Sequence, residues 1–199
     1  IPAATVSSGA VIRGRGVSGG TAVAPVVRLA STVTEPDADV IVATDDREGE
    51  ADAIRLASAA VADDLEARMA NATGEAHAIL DATRMMAADP DVIDDAIALV
   101  RDRGASAARA VWEVATVQAD ALAALGGRMA ERGADVRDVR DRLIAALLGT
   151  GAPGVPDRNE PFVLVAVDLS PADTASLSGG GCAALVTEQG GPTSHTAII

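Results

Sequence analysis

The residues best suited to chemistry lie in the stretch Glu188-Gln-Gly-Gly-Pro-Thr-Ser-His-Thr-Ala-Ile-Ile199. One histidine, His195, follows the glycine pair Gly190 and Gly191 and the step Thr193-Ser194, at the start of an expected helix. Glycines let the backbone bend close to an anion, and free N–H groups at a helix start favour negative charge. A neutral imidazole nitrogen placed there can attack phosphorus, so the pattern suits a histidine that accepts a phosphoryl group. The same residues also read more simply, with Ser194 capping a helix and His195 an ordinary first-turn residue.

Other candidates carry less. Gly14-Arg-Gly-Val-Ser-Gly19 matches GxGxxG, and Asp37 or Asp39 follows at about the spacing of a dinucleotide fingerprint. The β-rich stretch TAVAPVVRL follows Gly19, where that fingerprint needs a helix, so these glycines read as turn residues. His77, beside Glu75, has no second histidine or cysteine at ligand spacing, which argues against a metal site and for a surface or packing role. Cys182 falls on an expected buried strand and reads as a buried thiol. Met85 and Met86 end a helix among Asp81, Asp89 and Asp91. Soft apolar residues ringed by acids suit a docking patch for a basic partner, and equally a pair of core methionines.

Composition narrows the class. With 49% apolar and 23% charged residues the 199-residue chain is globular. Phe162 and Trp112 are its only aromatics, so Ala, Val, Leu and Ile must build the core. All 16 basic residues are arginine, and the net charge of −13 leaves no basic stripe to neutralise nucleic-acid phosphates. A lone cysteine forms no internal disulfide. No apolar run approaches the roughly 20 residues of a membrane span, and no signal peptide is visible at the start. The expectation is a soluble cytoplasmic protein, with no nucleic acid or membrane among its partners.

Three zones must position these residues. Ala10 to Leu29 reads as two short strands around a glycine turn. From about Asp45 to Leu148 the pattern is helical, with Ile54, Val61, Leu65 and Met69 near helical spacing. Breaks at Asn71–Gly74, Asp89-Pro90, Gly104 and Gly126-Gly127 divide it into four or five helices of a hairpin bundle. After the Gly/Pro-rich linker Gly149–Glu160, Phe162–Val167 reads as a buried strand and Ser170-Pro-Ala-Asp173 as a capped helix start. Cys182–Thr187 is a second strand leading into the glycine loop. The fold class is therefore α+β or α/β: a small β/α domain with an inserted antiparallel helical bundle. The chain lacks an initiator Met and stops four residues after His195, which suggests a piece of something longer.

The signature GGPTSHTAII resembles the phosphohistidine motif of Enzyme I of the bacterial phosphoenolpyruvate:sugar phosphotransferase system. ADVRDVRDRLIAALLG, from Ala134 to Gly149, resembles the helix that closes this family's helical subdomain. VLVAVDLSPADTASL, from Val163 to Leu177, is similar to its strand and loop before the active site, and Gly16–Leu29 fits its N-terminal strand pair. Pyruvate phosphate dikinase and phosphoenolpyruvate synthase share a similar histidine pattern but are not known for the inserted bundle. A swivelling domain of either kind is one alternative reading; a non-catalytic protein-binding helical module is another.

The resemblance implies a phosphohistidine (swivelling) α/β domain over 1–33 and 149–199, C-terminally incomplete, and a helical HPr-binding subdomain over 34–148. It implies that phosphoenolpyruvate, held with Mg2+ on a separate C-terminal domain, phosphorylates His195, which passes the group to a histidine of the small carrier HPr. No residue of this chain would bind metal, and the chain alone is not expected to use phosphoenolpyruvate. Ser170 matches a position where the family often has threonine, whose hydroxyl orients the imidazole; Gly190, Gly191, Thr193 and Ser194 would shape the phosphate loop. Met85, Met86, Val92, Met129 and Arg132 would fall on the HPr surface. Thr83 stands where some members have histidine, Ala121 and Ala124 where larger aliphatic residues contact HPr, and Pro192 where some have arginine. Each lost aliphatic side chain forfeits about 1–3 kcal/mol of apolar burial unless the interface compensates.

Overall fold

The computed structural model describes residues 14–29, 33–150, 154–155, 158, 160–167, 169–177 and 181–188. Its elements run β1 (Val26–Arg28), α1 (Arg47–Met69, after a 3-10 turn at Thr44–Asp46), α2 (Gly74–Ala87), α3 (Pro90–Arg103), α4 (Ala107–Ala124), α5 (Gly127–Leu147), β2 (Phe162–Ala166), α6 (Pro171–Ser176) and β3 (Cys182–Thr187). The fold is mostly helical, with a small sheet.

The helix boundaries follow local chemistry. Asp89 caps α3 by accepting from the Asp91 N–H at 3.0 Å, and Pro90 opens the helix where its missing donor costs nothing. Gly104 closes α3 with φ of 70°, and a Cβ there would meet Val42 O at 3.0 Å. Ser106 caps α4 through the Arg109 N–H. All four breaks expected from the sequence separate helices here, giving five. On α1, Ile54, Val61 and Leu65 are buried and Met69 packs against the same core.

Helices α4 and α5 approach closely because small residues face each other. Gly133 on α5 sits so near α4 that a Cβ would lie 2.6 Å from Ala119 O, a backbone atom that cannot swing aside. Gly133→Ala is therefore expected to cost about 1–3 kcal/mol through overpacking, despite alanine's better helix propensity. Urea denaturation checks this; an unchanged or raised midpoint would contradict it.

The sheet is parallel throughout, in the order β1-β2-β3. Central β2 buries Phe162, Leu164 and Ala166 with Val155 and Leu169, forming a core distinct from the bundle's. Of the two strands expected between Ala10 and Leu29, the described residues contain one, Val26–Arg28. Residues 14–25 carry no strand; four glycines and Pro25 leave little side-chain surface there to pack or pair. Residues 10–13 lie outside the described residues. Short helix α6 bridges the two layers: it follows β2, yet Ala172 and Ala175 belong to the bundle core with Leu80, Val139 and Leu143. Among the described residues no helix is long and apolar enough to cross a membrane.

Candidate functional site

Two features of the described residues bear on function, and helix α5 takes part in both. The first is a buried polar cluster where α5 meets α6. Ser170 leaves β2 in extended conformation and caps α6, its Oγ accepting from the Asp173 N–H at 3.1 Å. Asp173 in turn accepts from Arg142 Nη2 at 2.7 Å, and Arg142 Nε donates to Asp138 one turn back at 2.8 Å. Arg142 and Asp173 are both almost wholly buried. Burial alone would pull the Arg142 pKa down, but the charges of Asp138 and Asp173 outweigh this and raise it, so the guanidinium keeps its proton. Burial pushes the Asp138 carboxyl up; Arg142 opposes this and the Asp173 charge adds to it.

This cluster stands at the C-terminal edge of the sheet. Strands β2 and β3 end side by side, with Ala166 opposite Thr187 and the Glu188 N–H donating to Ala166 O at 3.0 Å. Ser170 follows the end of β2 by four positions, and Gln189 begins the glycine stretch directly after β3's edge. In parallel sheets, ligands gather at this carboxyl edge. His195, Gly190, Gly191, Thr193 and Ser194 lie outside the described residues, as does Pro192.

The second feature is an open cleft of about 310 Å3 between helices. Its walls include Met86 of α2, Val92 of α3, Gln118 and Leu122 of α4, and Val136 and Arg140 of α5. Of the five residues expected on a docking surface, Met86, Val92 and Arg132 line this cleft together. Met85 and Met129 are exposed on α2 and α5 but are not among its lining residues, and neither are Ala121 and Ala124. Met86 also packs against both neighbouring apolar clusters, so it serves the core and the cleft at once. Thr83 is buried and spends its hydroxyl on Ile79 O at 2.9 Å. His77 is exposed on α2, and Cys182 is half-buried.

The floor of the cleft is pinned by Arg140. Its guanidinium lies 3.7 Å from the Trp112 ring centroid, donates to Thr116 Oγ1 at 3.0 Å and holds Asp141 at 2.8 Å. With those donors engaged, the cleft presents mainly apolar carbon, Asp89 and Arg132, whose Nη1 lies 3.6 Å from Asp135. Burial pushes the Asp141 carboxyl up, and Arg140 opposes this without cancelling it. A native carboxyl raised above its unfolded value contributes stability at low pH that is lost as pH rises through the native value. Asp141→Asn is therefore expected to gain stability relative to the parent chain as pH climbs from the ordinary carboxylate range toward neutrality. Paired urea melts at several pH values check the slope; a relative loss with rising pH would contradict it.

Sequence reasoning missed Asp138, Arg142 and Asp173, and also Gln118, Leu122, Val136 and Arg140 of the cleft. The i,i+4 spacing of Asp138 and Arg142 was a signal for that pair. Nothing in spacing pointed to Asp173, which lies 31 positions from Arg142.

Comparison with known proteins identifies the relatives of this chain. Residues 13–132 match the family model "PEP-utilising enzyme, N-terminal", and residues 158–199 match "PEP-utilising enzyme, mobile domain". A phosphoenolpyruvate-protein phosphotransferase of Streptomyces coelicolor is 47% identical over 188 residues, covering 94% of this chain and 34% of that protein. One of Enterococcus faecalis is 34% identical over 196 residues, covering 95% and 33%. The chain thus spans about a third of the length of these curated relatives. Among solved structures, an NMR structure of Enzyme I superposes with a TM-score of 0.76 at 28% identity, covering 92% of this chain and 75% of that one. An N-terminal domain described as Enzyme 1 - Nitrogen gives 0.64 at 26% identity, with coverage of 92% and 76%. By the match over 13–132, which takes in β1, α1 to α4 and the start of α5, the chain belongs to the PEP-utilising enzyme, N-terminal family.

Proposed function

We propose that this chain is the phosphoryl-relay part of a phosphoenolpyruvate-protein phosphotransferase. His195 takes a phosphoryl group from phosphoenolpyruvate and gives it to a histidine of the carrier HPr, docked on the bundle cleft, as the first step of a sugar phosphotransferase system in the cytoplasm. The observation that carries this reading is the likeness to the Streptomyces coelicolor phosphotransferase across nearly the whole chain. The placement of Ser170 at the sheet edge from which the His195 segment departs supports it.

In the forward step a neutral ring nitrogen of His195 attacks phosphorus. The N–P bond forms as the donor's P–O bond breaks, and pyruvate's enolate leaves with that electron pair to be protonated. Transfer to the carrier exchanges one N–P bond for another. Ser170 holds the imidazole's second nitrogen, and Gly190, Gly191, Thr193 and Ser194 present backbone N–H groups to the phosphate. Met86, Val92 and Arg132 receive the carrier, with Met85 and Met129 at the margin. Mg2+ acts with phosphoenolpyruvate on a part of the protein outside this chain, and no residue here is assigned to it.

The test is exchange with a phosphorylated carrier from the same source, without phosphoenolpyruvate. The chain is expected to gain one phosphoryl group and the carrier to lose one. Carrier binding without any gain, or neither, would count against the relay.

A further inference from the structure

We propose that the triad Asp138, Arg142 and Asp173 is a registry device. It sets the one orientation in which α6, and with it the sheet, sits on the helical bundle, without adding to the strength of that attachment.

The apolar contact at this junction carries little information about orientation. Helix α6 has only six residues, and what it contributes to the bundle core is Ala172 and Ala175. A methyl group is small and nearly round, so a two-alanine face packs about equally well after a small rotation or slide; a unique fit needs side chains that interdigitate. The hydroxyls of α6 add nothing across the junction. Thr174 Oγ1 donates to Ser170 O and Ser176 Oγ to Ala172 O, each at 2.9 Å, so both are spent within α6 and its cap. Among the described residues, the bond from Arg142 Nη2 to Asp173 Oδ1 at 2.7 Å is the one directional link between α6 and the bundle.

That link is built to hold an angle. A guanidinium is planar and carries its donors in a fixed fork. Nε donates to Asp138 one turn back on α5 at 2.8 Å, which ties the plane of the fork to its own helix and aims Nη2 at Asp173. The segment leading from α5 to β2 closes over the pair. Gly154, at φ of 143°, passes so near that a Cβ there would lie 3.1 Å from Asp173 Oδ1 and 3.4 Å from Arg142 Nη1. Helix α5 also lines the cleft through Val136, Val139, Arg140 and Leu143, so the same angle fixes how the cleft faces the carboxyl edge of the sheet.

As an adhesive the triad is poor. Two carboxylates share one cation, and all three side chains are largely dry, with 14%, 3% and 6% exposure for Asp138, Arg142 and Asp173. The cost of drying such charges is on the scale of what their attraction returns, so a whole buried triad can often be exchanged for apolar residues with no loss of stability. Stripping one member differs, because it strands a buried charge. What the triad supplies, and three apolar side chains would not, is direction.

The test uses the intact protein with every native cysteine, Cys182 included, replaced by alanine. Spin labels are attached through Asp63→Cys on α1 and Glu160→Cys just before β2, both exposed positions. Pulsed electron resonance then gives the distance distribution between bundle and sheet. The parent is expected to show one narrow distance. The triple variant Asp138→Leu, Arg142→Met, Asp173→Leu is expected to keep a urea midpoint at or above the parent's and to show a broadened or second distance. One narrow distance in the folded triple variant, or a lower midpoint, would overturn the proposal, as would a broad distribution in the parent. Should the triple variant not fold, Arg142→Lys keeps the charge and loses the fork: a broadened distance supports the device, and an unchanged one overturns it.

Discussion

Replacing His195 by alanine is expected to abolish phosphoryl uptake from a phosphorylated carrier while the helical bundle melts as before. A covalent nucleophile forms the new bond itself, so its removal leaves no residual route of the same kind. The chain's only other histidine, His77, is exposed on α2, in a helix that takes no part in the sheet. The bundle core is built by α1 to α6 from residues such as Leu65, Leu80, Val100, Val111 and Ile144, none of them near the sequence of the loop. Carrier binding is accordingly expected to survive the substitution. Label incorporation together with thermal melting checks both halves; full uptake by the variant would remove His195 from the mechanism.

Arg142→Leu is expected to cost about 3–5 kcal/mol of folding stability, the scale for stripping one partner from a buried ion pair. The variant would leave Asp138 and Asp173 buried at the α5–α6 junction without their cation, and both would resist ionisation. The loss should therefore shrink as pH falls and the two carboxyls take up protons. Arg142→Lys is expected to recover only part of it, because one ammonium cannot reproduce the fork that reaches Asp138 through Nε and Asp173 through Nη2. Urea denaturation across the acid range checks this. A loss that is small, or that grows at low pH, would show that the cluster contributes little to the fold.

The parts of the fold legible in the sequence were those set by local rules. Asp89-Pro90, Gly104, Gly126-Gly127 and Ser170-Pro171 each mark a boundary through a cap, a fixed φ or a left-handed turn, and each stands at a helix end. The β2 and β3 strands were visible as short apolar runs. Residues 14–25 misled because β-branched residues among glycines imitate strands, while strand formation needs a neighbour to pair with.

The site was legible only in pieces. Met86, Val92 and Arg132 converge on one cleft, but Val136 and Arg140 join them through the packing of α4 on α5, which no spacing along the chain encodes. Arg140 would read as a surface charge on a helix rich in both signs of charge, yet it is buried against Trp112. Ser170 was read as a cap and as a partner for an imidazole. The structure shows it in the first role. Long-range pairs such as Arg142 with Asp173 depend on α6 folding back onto the bundle, and so appear only in three dimensions.

The central claim is most directly tested by locating the phosphoryl group within the chain. After incubation with phosphorylated carrier, the chain is digested and analysed by mass spectrometry at neutral or basic pH, since acid destroys phosphohistidine. Two histidines are present, so the assignment is decisive. A single phosphoryl group on the peptide carrying His195 is the predicted result; a group on His77 or on a hydroxyl side chain would contradict the account.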